Sequence, residues 1–185
     1  YQIALRGASS EPQRLLILEG LGDVLMLRGR YEEAHRWLEA AAPLAKSGLP
    51  QAAIRSKIGE LYFKRGDMAQ AIYNFEAALR LQGRFVPRRP LVTLVCMLWE
   101  GAMQVLHTCF PTFLLHRIKR QPNADERLTL RLLSYLAHGC WYSRKQMQLL
   151  WSHLRNINMG EKYLPSPELA QAYSEHGPAM TVVGY

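Results

Sequence analysis

One motif is written twice in this chain, and it limits the possible folds more than composition does. Residues 21–42, LGDVLMLRGRYEEAHRWLEAAA, return as residues 58–79, IGELYFKRGDMAQAIYNFEAAL. Superposed, Gly22 falls on Gly59, Gly29 on Gly66, Ala34 on Ala71, Leu38 on Phe75 and Ala41 on Ala78, each 37 positions apart. A fixed period of this length marks a unit that cannot bury its apolar face alone and stacks on a neighbour.

Within each unit the apolar spacing is helical. Leu18, Leu21, Gly22 and Leu25 share one helix face, as do Ile54, Ile58, Leu61 and Tyr62. Gly29-Arg30 and Gly66-Asp67 interrupt the pattern with the residue that most readily adopts positive φ, and a second helical pattern follows at once. Each unit is therefore expected to be a helix hairpin, closed by Gly22 facing Ala34 and by Gly59 facing Ala71.

In this order and spacing the residues resemble the tetratricopeptide repeat. The second unit is the closer match, with Ile58-Gly59, Tyr62, Gly66-Asp67, Ala71, Phe75 and Ala78; the first has Leu25 for the Tyr and Leu38 for the Phe. The first-helix Trp of the family is replaced by Leu18 and Arg55, and three extra residues fall in the connection around Ser47-Gly48-Leu49. The resemblance implies an all-α fold, antiparallel helix hairpins stacked as a right-handed superhelix (an α-solenoid), that binds a protein or peptide segment. It implies a groove lined by Glu19, Asp23 and Met26 from one unit and Ser56, Glu60, Phe63 and Lys64 from the other. That lining lacks the Lys and Asn clamp of chaperone-binding members. Its acidic character favours a basic or amphipathic ligand, and one from the same polypeptide would serve.

Capping signals place further helices, roughly nine in all. Ser10 with Gln13, Asp67 with Gln70, Asn123 with Glu126, Ser143 with Gln146, and Ser166 before Pro167-Glu168 each mark an N-terminus. The pair 124–142 and 143–160 repeats the hairpin logic with Tyr135 and Met147 at the close-contact positions. Three regions are expected: 1–82, two hairpins behind the tail of an earlier helix; 83–122, a basic linker and an apolar helical segment; and 123–185, a degenerate hairpin and the start of another helix. The apolar segment 91–115 contains one formal charge, Glu100. Glu100, Gln104 and His107 interrupt it and Pro111 breaks it, so a buried helix is expected rather than a membrane span, with peripheral membrane contact as the alternative.

A second resemblance covers most of residues 80–181, including GRFVPRRP, HTCFP and the long string from Leu149 to Thr181. It is similar to the helical region of large bacterial signalling proteins in which a protein kinase or nucleotide cyclase is fused to a predicted ATPase and then to tetratricopeptide-like repeats. This implies a regulatory, cytoplasmic piece of a longer polypeptide. The chain itself shows no phosphate-binding glycine motif. Its histidines form no His-x-x-x-His pair, and Glu175-His176, adjacent on a helix, diverge. No catalytic residue, metal ligand or cofactor is assigned. Cys96, Cys109 and Cys140 sit in apolar helical patterns and are expected to be reduced core residues. Net charge is +8, with nine basic and three acidic residues between Arg80 and Arg131. The candidate basic patch is Arg84, Arg88, Arg89, Arg117, Lys119 and Arg120. Nucleic acid or a membrane surface bound through that region is the second functional reading.

Overall fold

A computed structural model describes residues 10–46 and 48–181, which form ten α-helices, one 3₁₀ turn and no strand. The sequence-expected helix tail before Ser10, the last residues from 182 on, and Ser47 in the connection lie outside the described residues. The described residues divide into two units, one ending at Arg84 and the other beginning at Phe85.

The first unit holds two hairpins, α1 (Glu11–Leu27) with α2 (Tyr31–Ala41), and α3 (Gly48–Arg65) with α4 (Met68–Leu81). The repeated glycines end the first helix of each hairpin in the same way. Gly29 has φ 71° and Gly66 φ 84°. Arg30 N–H bonds to Leu25 O and Asp67 N–H to Tyr62 O, at 2.9 and 3.0 Å, so the last carbonyls are satisfied by a left-handed cap. Ser10 and Asp67 accept from the amides of Gln13 and Gln70, as their spacing predicts.

Tight packing at the two matched glycines holds each hairpin closed. A Cβ on Gly22 would lie 2.7 Å from Leu38 Cδ2, and one on Gly59 would lie 2.6 Å from Phe75 Cε1. The side chain over each glycine is thus the large one of the second helix, not the expected Ala34 or Ala71. Those alanines are nonetheless fully buried. Leu18, Leu25, Leu38, Ile54, Ile58 and Leu61 form a core continuous from α1 to α3, as stacked units require.

The second unit contains α5 (Pro90–Cys109), α6 (Pro111–Leu114), α7 (Ala124–Tyr142), α8 (Gln146–Gly160), α9 (Pro167–Ser174) and α10 (His176–Met180). Asn123 and Glu126 make a reciprocal capping box on α7, and Ser166 Oγ accepts from Leu169 N–H on α9. Ser143 instead belongs to the end of α7. The turn runs through Arg144 at φ 55°, and α8 starts after Lys145 without a side-chain cap. Tyr135 is half-buried and Met147 exposed, so Met147 does not lie between the two helices. The segment after α6 is stitched to the end of α8 by backbone bonds, His116 N–H to Glu161 O and Ile118 N–H to Lys162 O at 2.7 and 2.8 Å.

The apolar segment overturns the expectation of a buried helix. In α5 the buried side chains are Thr93, Glu100 and His107, every seventh residue and all polar. Leu91, Trp99 and, beyond α5, Phe113 are 77%, 64% and 79% exposed. The helix is amphipathic in the inverted sense: its polar stripe packs on α8 and its apolar face is open. Cys140 is buried, but Cys96 is half-buried and Cys109 exposed on that open side, so two of the three thiols are not core residues.

Candidate partner-binding groove

The outward stripe of α1 consists of Leu16, Glu19, Gly20 and Asp23, positions that a 3.6-residue turn brings to one side. Lys57 of α3 reaches across to it. Its ammonium donates to Asp23 and lies 3.0 Å from Glu19 Oε1. Burial alone would lower the Lys57 pKa, but its bonds to Asp23 and Glu19 outweigh that and the net shift is upward. Lys57 therefore stays charged and ties the first helices of the two hairpins together. Leu16, Ile17, Glu19, Gly20, Asp23 and Lys57 line an open depression of about 440 Å³.

This arrangement keeps part of the expected lining and rejects part. Glu19, Asp23 and Glu60 are half-buried at the surface of their helices, Phe63 is half-buried and Lys64 is exposed. Met26 belongs to the core at 6% exposure, and Ser56 is also buried, its hydroxyl without a hydrogen-bond partner. Neither presents a side chain to a ligand. The 37-residue register pairs Gly20 with Lys57, Asp23 with Glu60 and Leu27 with Lys64, and these positions turn outward; Asp23, Glu60 and Lys64 belong to the expected lining, whereas Gly20, Leu27 and Lys57 do not. The place of Lys57 opposite Gly20 in the repeat is a legible signal for it. On the other side of the stack, Tyr62 Oη lies 3.2 Å from His35 Nε2 and Arg65 pairs with Glu32 at 2.8 Å, contacts that join α2 to α3.

The side chains of the expected basic patch differ in their surroundings. Arg88, Arg89, Arg117 and Lys119 are exposed. Arg120 is engaged, donating to both oxygens of Glu126 at 2.6 and 2.8 Å and lying over the Tyr163 ring. This pairing with Arg120 holds the Glu126 carboxyl down at about 2.

Four titratable side chains of the second unit, Glu100, His107, His153 and Glu161, are buried. Glu100 accepts from Arg155 Nη1 and from Asn158 Nδ2, both at 2.8 Å. His107 Nδ1 sits 2.5 Å from Glu161 Oε2, and Tyr173 Oη donates to Glu161 Oε1 at 2.7 Å. Burial and the Glu161 carboxylate raise the Tyr173 pKa, which keeps its proton in place as donor. Glu175 and His176 diverge as adjacent helical residues must. Glu175 accepts from Ser134 and Gln171, whereas His176 stacks on His153 with its Nδ1 3.1 Å from His153 Nε2. Ser134 Oγ donates to both carboxylate oxygens of Glu175 at 2.7 and 2.9 Å, and His138 Nε2 lies 3.6 Å from Glu175 Oε1. A cavity of about 300 Å³ beside these groups is lined mainly by apolar side chains, among them Trp141, Leu149 and Ala179.

Comparison with curated proteins found no match to the chain. Residues 13–84, which span α1 to α4 and the groove between α1 and α3, match the tetratricopeptide repeat family.

Proposed function

We propose that this chain is a non-catalytic interaction scaffold whose first unit holds a protein segment on the α1–α3 face. The observation that carries this reading is the open depression at Leu16, Ile17, Glu19, Asp23 and Lys57, placed on the first helices of two matched tetratricopeptide hairpins. Such repeats mediate protein–protein interactions. The apolar floor at Leu16 and Ile17 supplies retention, and a basic side chain of the ligand competes with Lys57 for Glu19 and Asp23. The ligand is thus an amphipathic segment carrying lysine or arginine, and a segment of the same polypeptide satisfies the same chemistry.

The resemblance of residues 80–181 to the helical region of kinase- or cyclase-linked ATPases supports a regulatory, cytoplasmic role within a larger signalling protein. The test is capture of partners by the wild-type chain and by two variants. One carries Glu19→Lys, Asp23→Lys and Glu60→Lys; the other replaces Arg84, Arg88 and Arg89 by Ala. Loss of the partner in the first alone supports the groove. Loss only in the second, together with binding to single-stranded or duplex nucleic acid, transfers the function to the basic residues.

A further inference from the structure

Helix α5 is long and apolar enough to cross a membrane by length and composition, yet only 17% of its apolar window is buried. Leu91, Val95, Leu98, Trp99, Val105 and Leu106 form one exposed face along a helix of 20 residues, about 30 Å in length. The opposite stripe, Thr93, Glu100 and His107, is buried, and its two ionisable members are paired: Glu100 with Arg155 and Asn158, His107 with Glu161. The ionisable side chains of α5, Glu100 and His107, are thus both turned inward, away from the exposed apolar face. That is how a helix lying at a headgroup boundary must be arranged.

Charge selects among the possible covers. Between residues 77 and 124 the one carboxylate is Glu100, which is buried. Exposed Arg88 and Arg89 precede α5, and exposed Arg117 and Lys119 follow α6. A second copy packed parallel on this face would bring Arg88 and Arg89 onto the same cations of its partner. The N-terminus of α5 has no side-chain cap and no acidic residue in its first turn. Its unpaired amides and the two preceding arginines therefore favour an anion there, as a lipid phosphate would provide.

We propose that the exposed face of α5 docks in the plane of an anionic lipid surface, with Arg88 and Arg89, which directly precede the helix, contacting the headgroups. The test is co-sedimentation of the full chain with vesicles of phosphatidylcholine alone and of phosphatidylcholine containing phosphatidylserine. The wild-type chain pellets with the anionic vesicles. The double variant Leu98→Glu, Trp99→Glu stays in the supernatant, and Arg88→Ala, Arg89→Ala weakens partition about fivefold per cation removed. These four side chains are exposed, so both variants keep the helical circular dichroism of the parent. The proposal fails if the wild-type chain ignores anionic vesicles or if Leu98→Glu, Trp99→Glu pellets as well as the parent. It also fails if sedimentation equilibrium shows a dimer that this variant dissociates while vesicle binding is absent, since the face would then belong to a second copy.

Discussion

At Gly59 the absence of a side chain is a packing requirement. An added Cβ would meet Phe75 Cε1 at 2.6 Å and Asn74 Cβ at 3.3 Å, and the ring has neighbours that prevent it from withdrawing. Gly59→Ala should cost about 1–3 kcal/mol through overpacking, read as a lower urea midpoint. Gly101 is the control, because it lies inside α5 with nothing within 4 Å of its added Cβ. There Gly101→Ala should stabilise by about 1 kcal/mol, the difference in helix propensity alone. Arg144 makes the complementary case. It holds the left-handed position, φ 55°, that Gly29 and Gly66 hold elsewhere, with Lys145 N–H closing on Cys140 O at 2.9 Å. Arg144→Gly relieves the Cβ strain of that conformation and should gain about 0.5–1 kcal/mol after the added chain entropy is counted.

At the scale of the element, α5 shows why an apolar run does not by itself predict burial. Its composition is that of a core helix, but what fixes its orientation is where Glu100, Gln104 and His107 find partners. Those partners lie 54 to 58 residues away on and just after α8, and no local pattern announces them. Once paired, the polar stripe must face α8 and the apolar residues must face out. Glu100→Ala tests this. It removes the acceptor for Arg155 and leaves Asn158 Nδ2 with the Glu100 carbonyl alone, so the second unit should lose about 1–3 kcal/mol. Chemical unfolding followed by circular dichroism and by the summed tryptophan fluorescence, to which Trp99, Trp141 and Trp151 of this unit contribute, measures the loss. An unchanged midpoint would mean that the stripe does not orient the helix.

Across the whole molecule, legibility follows how each unit is held together. The first unit repeats short-range devices, a glycine cap and a large residue over a glycine, so its four helices could be read from spacing, while the side chain covering each glycine, the burial of Met26 and Ser56 and the reach of Lys57 could not. The second unit rests on buried polar pairs between distant segments, and this makes its stability depend on pH. Burial, with His176 and His138 nearby, lowers the His153 pKa from an ordinary 6.5 to about 4. Between those values the unfolded chain binds a proton at His153 that the folded chain refuses. Stability therefore rises with pH from about 4 to 6.5 and is flat above, and the penalty reaches roughly 3 kcal/mol near pH 4. Glu126 works in a different window. Its carboxyl, lowered to about 2, contributes fully above its ordinary 4.5 and loses that contribution only as pH falls toward 2. A series of urea midpoints from pH 7.5 to 4.5 thus isolates the histidine. The wild-type chain should weaken progressively below pH 6.5, whereas His153→Gln, which has no proton to gain, should show a markedly flatter profile over the same range; equal slopes for the two would place the titration elsewhere.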